Sequence, residues 1–283
     1  MNKMASFKPV LGIGLLAWLA SGELWATDGY RELQITQDID ARTSPGEVVR
    51  LQASGLEFQG LYREAVSKNV RGAVVLLHGR DSNQDAADLI RPLRRGLPEH
   101  GWNTLSLAMP IAVPDDLQGQ ADLVPEAIVR LQSGITYLKE KNIGTIALLA
   151  HDTGAWGTLR YLADAPDNSV KGAVLIDPAP VGELDVPPIS AGSLRAISLP
   201  ILEILSRRIS VSVNDEASRK RTVMKANPSY QLLVLNEPHR GWQDSEDFLL
   251  NRIHGWLSHL QASAVSITAT PAETRTPSGN KQE

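Results

Sequence analysis

The stretch Ala150-His151-Asp152-Thr153-Gly154-Ala155 decides the fold. An apolar run, Thr145 to Leu149, leads into it, and a helix-like stretch, Trp156 to Asp164, leads out. Small residues flank one polar residue where a buried strand turns into a helix. That is the layout of a nucleophile elbow, normally written G-x-S-x-G, whose strained backbone projects one side chain above the sheet. Ala150 and Gly154 meet the size requirement, although Ala150 replaces the more usual glycine. The projecting position holds Asp152, not serine.

Outward from the elbow the chain alternates. Glu47 to Gln52 and Leu56 to Tyr62 read as a hairpin joined by Ala53-Ser54-Gly55. The continuous apolar runs Gly72 to Leu77 and Gly172 to Ile176 suit strands buried on both faces. Thr104 to Met109, Pro200 to Leu205 and Gln231 to Leu235 read as further strands. Asn83 to Glu99 is expected to be a helix that kinks or splits at Pro92. Arg91, Arg94 and Arg95 are expected on its solvated face. Asp122 to Lys141 is a helix with Val124, Ile128, Leu131, Ile135 and Leu138 on one side. A polar helix is expected over Asp215 to Ala226, and Ser245 to Leu260 closes the domain as an amphipathic helix. The pattern predicts an α/β domain with a mostly parallel central sheet, helices on both faces and an N-terminal antiparallel hairpin.

This order of elements, and the elbow's place in it, resembles the alpha/beta-hydrolase superfamily over about Gly46 to Leu260. Leu77-His78-Gly79 then stands where that superfamily places part of its oxyanion hole. The stretches LIRPLRRGLPEHGWNTLSLAMP (89–110) and HRGWQDSEDFLLNRIHGWL (239–257) are similar to an uncharacterised family of exported bacterial alpha/beta-hydrolase-like proteins. That resemblance implies the fold and an exported location. It implies no activity, since the family has none assigned and its elbow does not reliably carry serine.

The chain has 283 residues, 42% of them hydrophobic, a net charge of -4 and no cysteine. One core of ordinary size is expected, with no disulfide, no thiolate catalysis and no basic patch for nucleic acid. Residues 1–26 read as a signal peptide: Lys3 and Lys8, a short apolar core from Val10 to Ala20, and cleavage after Leu24-Trp25-Ala26. An uncleaved anchor is the alternative. Residues 34–261 form the folded domain, and 262–283, rich in Ser, Thr and Pro, read as a disordered tail. The expected location is periplasmic or secreted, with no stable membrane span after cleavage. No cofactor or metal is expected, because no dense ligand motif is present. A metal site built from His78, Asp81, Asp152 and His239 is the weakest reading.

The expected catalytic residues are Asp152, His239 and Asp177. His239 follows the last strand, where the superfamily places its histidine. The usual acid would follow Pro200 to Leu205, but that position reads Ser206-Arg207-Arg208. Asp177, at the end of the preceding strand, is the better candidate, and Asp215 is the alternative. The backbone N–H of Thr153, with that of Gly79 or Arg80, would form the oxyanion hole. Each acid has a plainer reading, Asp152 as a helix N-cap and Asp177 as a turn residue before Pro178.

A carboxylate is already ionised near neutral pH and needs no base before it attacks. Attack on an ordinary ester would give an anhydride and gain nothing. Asp152 therefore suits an alkyl carbon, as in an epoxide or haloalkane, with His239 activating water afterwards. Three features depart from enzymes of that kind. Only Pro178 to Leu199 stands where they insert a cap, Thr153 stands where dehalogenases commonly offer tryptophan, and two tyrosines suited to epoxide activation are not evident. Trp156 and Trp242 are the candidates left for a leaving-group donor. Two readings follow. One is a hydrolase of a small substrate. The other is an inactive hydrolase fold that acts as a binding or envelope-interaction module.

Overall fold

A computed structural model describes residues 27–40, 45–113, 116–164, 166–179, 190–206, 221–235, 242 and 245–268. Residues 1–26, read above as a signal peptide, and the positions Asp215 and His239 lie outside them. Eight strands form one sheet: β1 (Glu47–Ala53), β2 (Leu56–Arg63), β3 (Gly72–Leu77), β4 (Trp102–Leu107), β5 (Ile146–His151), β6 (Val170–Ile176), β7 (Ile201–Ser206) and β8 (Tyr230–Leu235). Their order is β1-β2-β4-β3-β5-β6-β7-β8. β1 and β2 pair antiparallel, as do β2 and β4, and every other neighbour is parallel.

Burial explains the apolar runs. Val75 and Leu77 of β3 face one core cluster, while Val74 and Leu76 face another. Both faces are covered, so a polar residue in a central strand would be stranded unless paired. The first face carries α4 (Val124–Glu140) and α5 (Gly154–Asp164), and the second carries α2 (Ile90–Gly96) and α7 (Glu246–Thr268). Three further helices are α1 (Gly29–Asp40), α3 (Leu117–Asp122) and α6 (Ala191–Ala196). The link from β6 to β7 spans residues 177–200, too short for a folded cap domain. α7 runs on to Thr268, past the boundary expected at Gln261, and α1 begins before the boundary expected at Gln34.

Two expectations about the second helix are corrected. It begins at Ile90, not Asn83, and gives way at Leu97 to a tight 3-10 turn ending at His100. Pro92 therefore lies in the first turn, where its missing N–H is not needed, and makes no kink. Residues 83–89 instead form turns, in which Asn83 Oδ1 accepts the Asp85 N–H at 2.9 Å.

Arg94 is not on a solvated face: it is completely buried. Its Nε and Nη2 donate to Asp85 Oδ1 at 3.1 and 2.7 Å, and Nη1 donates to the Pro45 carbonyl at 3.1 Å. Arg91 adds a bond to Asp85 Oδ2 at 2.9 Å. A buried guanidinium left alone would cost several kcal/mol, so partners of this quality are what make the position tolerable. Burial pulls the Arg94 pKa below its ordinary value, and the Asp85 hydrogen bond opposes that.

Candidate active site

The elbow forms at the carboxyl end of β5. Only Asp152 and Thr153 separate the strand from α5, and Asp152 adopts a left-handed φ of 50°. That backbone costs a non-glycine residue on the order of 1–3 kcal/mol. Tight packing enforces it. A Cβ on Gly154 would lie 2.7 Å from the His78 carbonyl oxygen and 3.0 Å from that of Leu77, so the turn presses directly on the end of β3. The Asp152 carbonyl accepts the amides of Ala155 and Ala179, each at 3.2 Å.

The Asp152 carboxylate does not cap α5 through any bond among the described residues. It turns toward the loop after β3. Oδ2 accepts the Arg80 N–H at 3.1 Å and lies 3.4 Å from Arg80 Nε. Gly79 makes this approach possible, because a Cβ there would meet Asp152 Cβ at 2.4 Å and Oδ2 at 2.7 Å. One carboxylate oxygen is thus held by the Arg80 amide, while no bond to Oδ1 is formed among the described residues.

His78 holds that donor in place. Met109 N–H donates to His78 Nε2 at 3.0 Å, so the ring proton sits on Nδ1, which donates to the Gly79 carbonyl at 2.8 Å. The Gly79 carbonyl and the Arg80 N–H belong to one planar peptide and point in opposite directions. Gripping the oxygen aims the N–H at Asp152. Burial pulls the His78 pKa down to about 4, with Arg130 and His151 acting the same way and the Gly79 hydrogen bond acting against them. The ring is neutral at ordinary pH, as this double duty requires.

Asp177 ends β6 beside the elbow, with φ 41°. Its N–H donates to the Ile204 carbonyl at 2.9 Å, and its Oδ1 accepts the Ser206 N–H at 2.6 Å. The carboxylate therefore reaches over the end of β7, the strand after which the superfamily's usual acid stands. Thr153 lines a cleft of about 30 Å³ together with His78, Gly79, Met109, Gly154 and Trp156. That exceeds the roughly 10–15 Å³ one water needs. A larger cavity of about 580 Å³ between Pro228 and Trp256 contains none of these residues. It includes Pro200, just before β7, and so lies toward the amino ends of the strands, away from the carboxyl ends where α/β sheets bind ligands.

The structure thus joins Gly79 and Arg80 after β3, Asp152 and Thr153 after β5, and Asp177 after β6, at the carboxyl ends of three adjacent strands. Both tryptophans are structural. Trp156 Nε1 donates to the Ala179 carbonyl at 2.7 Å, and Trp242 is packed in the cluster on the opposite face of the sheet. Neither is the leaving-group donor expected of it. His78 has both nitrogens engaged and Asp81 pairs with Arg31 at 3.5 Å, so the four-residue metal reading loses two ligands. Among the described residues no group of three metal-ligating side chains comes together. His78 entered the sequence reading as a neighbour of Gly79 and as a metal ligand; that it orients the Arg80 peptide is visible only in its two hydrogen bonds.

The sheet order and the elbow define an alpha/beta-hydrolase fold. An esterase of Pyrococcus furiosus has the same fold, with TM-score 0.62 and 18% identity over 77% of this chain and 93% of its own. Est1E of Butyrivibrio proteoclasticus matches with TM-score 0.61 and 13% identity over 77% and 100%. The carboxylesterase CesB of Bacillus subtilis matches with TM-score 0.57 and 12% identity over 82% and 98%. No curated protein matches the chain in sequence. The family model described as "Protein of unknown function (DUF3530)" matches residues 37–123 and 111–259, and the chain belongs to that family.

Proposed function

We propose that the protein is an exported hydrolase that opens small substrates at an alkyl carbon with Asp152. The observation that carries this reading is the bond from the Arg80 N–H to Asp152 Oδ2. In the first step Oδ1 attacks the carbon of R–X, forming an ester on Asp152 and releasing X⁻; with an epoxide, the ring C–O bond breaks and the ring oxygen stays on the alkyl group, taking its proton from solvent water. In the second step water adds to that ester's carbonyl carbon. Oδ2 then becomes the oxyanion, already held by the Arg80 amide beside the guanidinium, with the Thr153 amide as second donor. Collapse returns the carboxylate and releases R–OH and a proton. His239 takes the proton from water, and Asp177 holds the histidine's tautomer. The fold accords with a small-molecule substrate, and no helix among the described residues is long and apolar enough to cross a membrane. Export rests on the basic and apolar pattern of residues 1–26.

The test is a single turnover in ¹⁸O-labelled water on an epoxide and haloalkane panel, with an ester panel and Asp152→Asn as controls. Label in the peptide bearing Asp152 is the expected result, because water attacks the enzyme's own carboxyl carbon. Label only in the alcohol would eliminate Asp152 as nucleophile. A binding module is the second reading, favoured by the pairing of Asp152 with Arg80 Nε at 3.4 Å, which holds the carboxylate before any substrate arrives. No turnover on any class, with Asp152→Asn still folded, would select it.

A further inference from the structure

The helix α1 is held to the body in an unusual way. Ile39 is its single buried hydrophobic residue, while Tyr30 and Leu33 are 73% and 54% exposed. One buried side chain is too little to order a helix of this length. Polar bonds do it instead, and they converge on the loops of the candidate site. Asp28 caps α1 through its Oδ1, which accepts the Arg31 N–H at 3.1 Å. Glu32 accepts Arg130 Nη1 and Nη2 at 2.5 and 3.1 Å. Arg130 is buried, and its Nη1 also donates to the Ala108 carbonyl at 2.7 Å. Its Nε and Nη2 donate to Glu126 at 3.0 and 2.5 Å. All five guanidinium donor directions are therefore used.

The same segment grips the far side of that loop. Thr27 Oγ1 donates to Glu32 Oε2 at 3.1 Å and accepts the Ile111 N–H at 3.2 Å. Asp28 N–H donates to the Ile111 carbonyl at 2.6 Å. Between these two anchors lies Met109, whose amide holds His78 and, through Gly79, the peptide that carries the Arg80 N–H. A second tie, Arg31 to Asp81 at 3.5 Å, lands one residue beyond Arg80.

We propose that residues 27–40 belong to the site as a polar strap, with Glu32 as a positioning residue that fixes, through Arg130, the loops setting the direction of the Arg80 N–H. The kinetic consequence rests on the reading of Asp152 as nucleophile; the mechanical consequence does not.

The experiment is amide hydrogen exchange on the full chain and on Glu32→Gln. Exchange over 79–82 and 108–112 is expected to rise about tenfold, with 146–151 and 170–176 unchanged. Faster exchange confined to 27–40 would overturn the strap, because α1 would then be a passenger. If Glu32→Gln does not fold, Arg31→Ala removes only the half-exposed pair with Asp81 and is expected to raise exchange at 79–82 about threefold; no rise there overturns the proposal. The kinetic arm uses a 1,2-epoxyalkane and a 1-bromoalkane. Glu32→Gln is expected to lower kcat with KM little changed, which a loss of folded protein alone would not do to the rate per active site. Absence of turnover in the wild type would sink the proposed function and leave the exchange result to decide the strap.

Discussion

Adding one carbon at position 79 separates the two chemical steps. In Gly79→Ala the new Cβ would lie 2.4 Å from Asp152 Cβ and 2.7 Å from Oδ2. Carbon atoms pack at about 3.5–4.0 Å, so something must move by about 1 Å. Asp152 is fixed by its left-handed backbone and by the contact of Gly154 with β3, so the carboxylate and the Arg80 peptide part. The bond now at 3.1 Å would pass the limit of a hydrogen bond. Losing one oxyanion donor costs about 10²–10³ in rate. That loss falls on hydrolysis of the alkyl-enzyme, where Oδ2 gains charge, and less on the attack by Oδ1. Gly79→Ala is therefore expected to accumulate the alkyl-enzyme, visible as a mass increase on the intact protein after quenching. Overpacking would also lower stability by about 1–3 kcal/mol, read as a shift in urea midpoint. A variant that hydrolyses its intermediate within about twofold of the wild-type rate would refute the assignment of the Arg80 amide as the oxyanion donor.

Other outcomes follow from the same contacts. The His78 pKa falls from 6.5 to about 4 on folding, so its contribution is complete above about pH 6.5 and is lost as pH falls toward 4. That is on the order of 3 kcal/mol, measured as the difference in pH-dependent urea midpoints between the wild type and His78→Gln; parallel curves would be inconsistent with a buried neutral ring. Arg94→Met leaves the buried Asp85 carboxylate with Arg91 as its remaining cation and should cost up to about 3–5 kcal/mol, whereas Asp85→Asn/Arg94→Met should recover much of it, checked by thermal melts of the wild type and both variants. Gly154→Ala forces a Cβ against two backbone carbonyls and should destabilise by about 1–3 kcal/mol; an unchanged melting temperature would mean the elbow yields more readily than its packing implies.

The strands were legible because both faces of the sheet are buried, which leaves uninterrupted runs such as Gly72–Leu77 and Ile146–His151. The elbow was legible for a local reason, since small residues around one polar residue have few other uses at a strand end. Arg94 was misread because periodicity scores arginine as outward-facing, and its partners, Asp85 and Pro45, lie outside its own helix. α1 was missed because its order comes from Arg130 on a distant helix and not from its own apolar residues. Gly79 read as part of an oxyanion loop, but the reason it must lack a Cβ exists only where the loop meets Asp152. His239 was placed by chain order alone, and it lies outside the described residues.

The turn at residue 152 is shaped by main-chain atoms and by the absence of side chains at its neighbours, with Gly154 seated against β3 and Ala150 buried between Leu77 and Leu175. None of these contacts involves the carboxylate. Scaffold and reagent are therefore encoded separately. The turn works as a socket, and under the proposed mechanism exchanging the group it presents would change which atom of a substrate is attacked without rebuilding the wall around it. Likeness to esterases follows from the socket, whereas the reaction proposed for this chain rests on a single side chain.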